Sequence, residues 1–107
     1  MTSHLDPYTF ILVDRKPVQH ANDEEWWRWY LNEENRRVAK TQFESGLITV
    51  STVFTSLDLL PERGKLFETK VFGGKLDQEE WRCATWEEAE AQHAKAVALV
   101  RETLPHE

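Results

Sequence analysis

The chain has 107 residues, 19 acidic and 13 basic, for a formal net charge of −6 at pH 7. That length is one domain with room for a single core, and the acidity argues against a general phosphate-backbone binder and makes direct nucleic-acid binding an unfavoured class. Hydrophobic content of 40% with 5 Trp and 5 Phe excludes an intrinsically disordered chain, and no apolar run approaches the roughly 20 residues that span a bilayer.

Met1–Pro7 reads as a loose N-terminal tail without the basic and apolar regions of a signal peptide. With the lone Cys83, which has no partner for an internal disulfide, this makes a soluble cytoplasmic protein the expectation. Residues 8–104 form the expected single domain. Tyr8–Val13 (YTFILV) is a short β-prone run, Asp14-Arg15-Lys16-Pro17 is a turn, and Val18–His20 folds back as a hairpin.

Asn22 or Asp23 caps a helix expected to continue to about Asn35, with acidic residues in its first turn. At 100° per residue, Trp26, Trp27, Tyr30 and Leu31 share an arc of roughly 140° and form the expected core stripe. Trp29 falls outside that arc and belongs at its partly exposed rim.

Three β-branched and aromatic runs follow, Arg37–Phe43, Leu47–Thr55 and Leu66–Phe72, separated by Glu44-Ser45-Gly46 and by the loop Ser56–Lys65 with its Pro61 and Gly64. This is an antiparallel meander. Alternation places Ile48, Val50, Thr52 and Phe54 on one face, with Phe67, Thr69 and Val71 on the matching face of the third run. One face is apolar and the other mixed, as in a sheet covered by helices on one side. Gly73-Gly74 is a turn, and Trp81–Ala84 supplies a fourth or edge strand. Thr85-Trp86-Glu87-Glu88 has the form of a capping box, opening a helix that reaches about Thr103 and stops before Pro105. Its stripe is Trp86, Ala89, Ala96, Val97, Val100 and Leu104, with His93 among them. The fold class is therefore α+β, with about four antiparallel strands and two helices on one face.

No motif asks for a metal or a cofactor. The four histidines show no HxxxH or HExxH spacing, and Cys83 lies in no CxxC pair. His93 reads as a half-buried histidine hydrogen-bonded at the helix–sheet boundary. Ser51, Thr52 and Cys83 are the nucleophile candidates that His93 would serve, yet none lies in a mechanical motif such as GxSxG.

Two surfaces remain. One is a protein-binding surface built from Trp29 and Trp81 as exposed anchors and from the acidic stretch Asp77, Glu79, Glu80, Glu87, Glu88 and Glu90. Its plain structural explanation is that acidic residues suit a helix N-terminus. The other is a polar sheet face with Arg37, Lys40, Ser51, Glu68 and Lys70, and Thr49 nearby if the strands pair in order. Its plain explanation is cross-strand charge pairing; its functional one is a small-molecule or nucleotide pocket, which a concavity lined by these residues would favour.

The series Tyr8–Val13, Asp14-Arg15-Lys16-Pro17-Val18, Trp26-x-x-Trp29-Tyr30, Arg36-Arg37-Val38-Ala39-x-Thr41, Val50-Ser51-Thr52-Val53-Phe54, Leu66-Phe67-Glu68-Thr69-x-Val71-Phe72-Gly73-Gly74 and Thr85-Trp86-Glu87-Glu88-Ala89 with His93 resembles a family of small proteins of unknown function encoded in phages and prophages of proteobacteria. The resemblance spans Tyr8 to Val100. It departs after Leu57-Asp58, where Leu59-Leu60 stand in place of the family's His. The resemblance implies an accessory role in the cytoplasm of a host cell and no established activity. The leading expectation is thus a non-enzymatic phage protein that binds a host or phage protein, in one version inhibiting a bacterial defence complex. The alternatives are the ligand-binding sheet face and a homo-oligomeric structural part, for instance a homodimer.

Overall fold

The structure, a computed structural model, describes residues 5–59 and 63–105. In chain order these contain β1 (Phe10–Val13), β2 (Lys16–Gln19), α1 (Glu24–Leu31), α2 (Glu33–Arg36), β3 (Arg37–Phe43), β4 (Ile48–Phe54), β5 (Phe67–Phe72), β6 (Glu80–Cys83) and α3 (Trp86–Thr103). β3-β4-β5-β6 form an antiparallel meander in that order, and β1-β2 a separate hairpin. The fold is α+β. Pro61, the expected break between β4 and β5, lies outside the described residues.

Hydrophobic alternation decides the meander. On β4, Ile48, Val50, Thr52 and Phe54 are buried while Thr49, Ser51 and Val53 between them are not. On β5, Phe67, Thr69 and Val71 are buried. α3 covers this face with Ala89, His93, Ala96, Val97 and Val100, a stripe at helical spacing. Burying Val50, Val71 or Val100 fully contributes about 1.5–3 kcal/mol each. The capping box that starts α3 is complete: the Glu88 amide donates to Thr85 Oγ1 at 3.1 Å and the Thr85 amide to Glu88 Oε1 at 3.2 Å.

A polar clamp runs through this otherwise apolar contact. His93 Nε2 meets Thr41 Oγ1 of β3 at 2.8 Å, and its Nδ1 meets Thr52 Oγ1 of β4 at 2.8 Å. Thr52 and Thr69 of β5 share a hydrogen bond of 2.7 Å. Gln92 Nε2 donates to Thr69 Oγ1 at 3.0 Å and to the Trp81 carbonyl of β6 at 3.1 Å. Two neighbouring residues of α3 therefore tie all four strands, and each hydroxyl of the clamp is satisfied. The expected boundary histidine is present, more deeply buried than half. Burial away from water lowers its pKa, which favours the neutral ring.

The hairpin and α1 close one end of the same core. Asp14 and Arg15, both at positive φ, make the two-residue β1–β2 turn, so Lys16 and Pro17 belong to β2 rather than to the turn. Phe10 and Leu12 pack against the cluster of Phe54, Leu66, Phe67 and Ala89. The segment read as a loose tail is held where it is described: the Asp6 amide donates to the His20 carbonyl at 3.2 Å, and Arg63 donates to the Pro7 carbonyl at 2.9 Å.

Two expectations about the first helix fail. Asp23 caps it as expected, but it ends at Leu31, where Asn32 adopts an extended conformation and its side chain caps the short α2 instead. The core arc is also displaced. Trp27 is 48% and Leu31 71% exposed, whereas Trp26 is 1% exposed. The buried side is that of Trp26, Trp29 and Tyr30. Trp26 donates its indole N–H to the Phe10 carbonyl at 3.0 Å, and Trp29 meets Phe54 edge-on at 6.0 Å. The hairpin and the end of β4 lie on that side, and the larger aromatic contact wins.

Candidate anion-binding cleft on the open sheet face

The face of the meander away from α3 has no covering helix among the described residues. Its composition follows from register: Lys40 lies opposite Ser51, Ser51 opposite Lys70, and Lys70 opposite Glu80. One row over, Arg37, Val53, Glu68 and Arg82 align in the same way. Strict alternation would send Arg37 and Lys40, three positions apart, to opposite faces. A β-bulge at Val38 prevents this: Arg37 pairs with Val53 and Ala39 with Thr52, leaving Val38 as the extra residue. Val38 turns into the core cluster, and both cations end on the open face.

Part of that face is paired. Arg82 donates to Glu68, and Lys70 lies 3.8 Å from Glu80. These two pairs match cross-strand charge pairing, so Glu68 and Lys70 leave the candidate site.

The other part is concave. Arg37, Lys40 and Ser51 line a cleft of about 320 Å³ together with Arg36, Glu33, Thr49, Val53 and Phe72. The volume lies at the small end of the range of about 300–1,000 Å³ for small-molecule clefts. Arg36 is pre-positioned: its Nε donates to the Tyr30 carbonyl at 2.8 Å, and its guanidinium lies 4.6 Å from the Tyr30 ring centroid. Arg37 is held by Glu34 at 2.7 Å, with Glu33 at 4.0 Å. Lys40, Thr49 and Ser51 have no side-chain hydrogen bond or ion pair among the described residues. Three cations against the two carboxylates of Glu33 and Glu34, beside two free hydroxyls, leave a net positive charge in an acidic chain.

Arg36, Glu33, Val53 and Phe72 were missing from the polar set read from the sequence. Arg36 and Glu33 arrive from α2, the short helix created by the break at Asn32.

The other proposed residues are dispersed. Trp29 is half-buried against Phe54. Trp81 lines a separate groove of about 390 Å³ between β6 and α3, with Cys83, Gln92, Lys95 and Leu99. Asp77 accepts the Gly73 amide at 2.6 Å and the Gln78 side chain at 3.1 Å; these bonds lower its pKa. Glu80 is engaged with Lys70 and Glu88 with the cap, leaving Glu79, Glu87 and Glu90 exposed and without an ion-pair partner among the described residues.

The nucleophile candidates separate too. Ser51 lies on the face opposite His93, and Thr52, though bonded to His93, is 0% exposed. Burial raises the pKa of the Cys83 thiol, away from the reactive thiolate. No group of three or more His, Cys, Asp or Glu suited to a metal ion occurs among the described residues, and no described helix is long and apolar enough to cross a membrane.

Comparisons with family models, with curated proteins and with solved structures return no match.

Proposed function

We propose that this protein is a binding module that takes a small anionic ligand in the open-face cleft. The convergence of Arg36, Arg37 and Lys40 beside the free hydroxyls of Thr49 and Ser51 carries this reading. Guanidinium groups present paired donors to phosphate or carboxylate oxygens; Arg36 is oriented by the Tyr30 carbonyl through Nε alone, while Arg37 shares its charge with Glu34. Lys40 adds a mobile charge, and the hydroxyls add neutral donors.

Calorimetric titration with ribose 5-phosphate at low salt tests it. The reading expects saturable binding that weakens as salt rises, that Lys40→Glu abolishes, and that Ser51→Ala weakens several-fold. Binding unaffected by Lys40→Glu, or no binding by any anionic ester tried, would remove it.

A protein partner on the opposite side is the second reading, favoured by Trp81 and the 41%-exposed Leu99 lining the β6–α3 groove. Capture of one stoichiometric partner, lost on Trp81→Ala or on reversing Glu79, Glu87 and Glu90 to Lys, supports it. Capture insensitive to all four changes counts against that surface.

A further inference from the structure

We infer that the ligand of this cleft is a nucleoside monophosphate, its phosphate at the Arg36–Arg37 end and its base against Phe72. The inference rests on the anion-binding reading above and adds the identity of the ligand's other end.

The cleft changes character along its length. Arg37 lies opposite Val53, Lys40 opposite Ser51, and Phe72 opposite Thr49. From Val53 to Thr49 is four strand steps, about 13 Å at a rise of roughly 3.3 Å per residue. The Val53 end carries the two guanidinium groups, the middle carries Lys40 and Ser51, and the Thr49 end carries an aromatic ring. Phe72 is 44% exposed, a large apolar surface left in water at the end of a polar cleft. The Lys70 ammonium stands 5.7 Å from its centroid, a contact that polarises the ring.

A ligand that satisfies all three zones has an anionic end, a hydroxylated middle and a flat ring. That is the order of phosphate, ribose and base. The sign of the charge agrees: three cations less Glu33 and Glu34 leave +1, which favours an anionic end. Free phosphate would leave Phe72 unused, and an acyl chain would find hydroxyls where it needs apolar walls. A polynucleotide is disfavoured by the net charge of −6 and by the pairing of Lys70 and Arg82 on the rest of the face.

Calorimetry with adenosine monophosphate, ribose 5-phosphate, inorganic phosphate and a short single-stranded oligonucleotide tests this, on the wild type, Phe72→Ala, Phe72→Leu and Lys40→Glu. Stacking predicts that the monophosphate binds about tenfold tighter than ribose 5-phosphate. Both Phe72 variants erase that difference without changing ribose 5-phosphate affinity, and Lys40→Glu removes binding of both. Phe72→Leu keeps apolar bulk at the strand end, so a fold defect in Phe72→Ala does not hide the result. Equal affinity for the two esters in the wild type overturns the nucleoside assignment while the anion reading stands. Absence of binding by all phosphate compounds overturns both. An oligonucleotide that binds more tightly than the monophosphate, with a steep salt slope, overturns the assignment in favour of a single strand.

Discussion

Replacing His93 by glutamine tests the polar clamp through its pH dependence. In the wild type His93 makes two hydrogen bonds of 2.8 Å, to Thr41 and Thr52. A buried hydrogen bond contributes a net of about 1 kcal/mol, and glutamine replaces one of the two at best, so His93→Gln loses about 1–3 kcal/mol at pH 8. The loss shrinks in acid. Burial lowers the folded-state pKa of His93 below the ordinary value of 6.5. Between those two values the unfolded chain binds more protons than the folded one, so unfolding free energy rises with pH there. The stability is present above about pH 6.5 and is lost as pH falls toward the folded-state pKa, by at most about 1.4 kcal/mol per pH unit for one proton. The substituted glutamine does not titrate, and the carboxylates and other histidines are common to both proteins. Urea unfolding followed by Trp fluorescence from pH 8 to pH 5 should therefore show the two stability curves converging toward acid. Parallel curves would refute the claim that His93 is held neutral.

Three further changes probe the frame of the fold. Ser56 combines φ +68° with full burial and a hydroxyl that has no hydrogen-bond partner among the described residues; relief of about 1–2 kcal/mol of backbone strain and of the orphaned hydroxyl outweighs glycine's entropy, so Ser56→Gly should stabilise by about 1 kcal/mol in urea melts. Gly73→Ala should cost at least about 2 kcal/mol by the same assay, because φ is +88° and a Cβ there would sit 2.1 Å from the Leu47 carbonyl oxygen. Thr85→Ala removes the acceptor of the Glu88 amide and should cost about 1 kcal/mol, seen as a lower urea midpoint with an unchanged m value.

The meander was legible because its signal is local. Ile48, Val50, Thr52 and Phe54 alternate with less buried neighbours, and one buried face is enough to set strand identity. The start of α3 was legible for the same reason, since Thr85 and Glu88 cap each other within four residues. What escaped depends on partners remote in sequence. Trp26 and Tyr30 belong equally to an arc completed by Trp27 and Leu31 and to one completed by Trp29. The hairpin and Phe54 choose between them. The bulge at Val38 exists only against β4, so alternation along β3 alone misplaces the relation of Arg37 to Lys40. The break at Asn32, which brings Arg36 and Glu33 to the cleft, opposes a helical periodicity that runs through it. Four cleft residues, Arg37, Lys40, Ser51 and Thr49, were therefore visible as a polar set. Their convergence with Arg36 and Phe72 was not.

The most direct measurement is backbone amide chemical-shift mapping of the isotope-labelled protein titrated with ribose 5-phosphate at low salt. Saturable shifts centred on Arg37, Lys40, Thr49 and Ser51, absent in Lys40→Glu, are the expected result. Shifts centred instead on Trp81, Gln92 and Leu99, or none at saturating ligand, would contradict it.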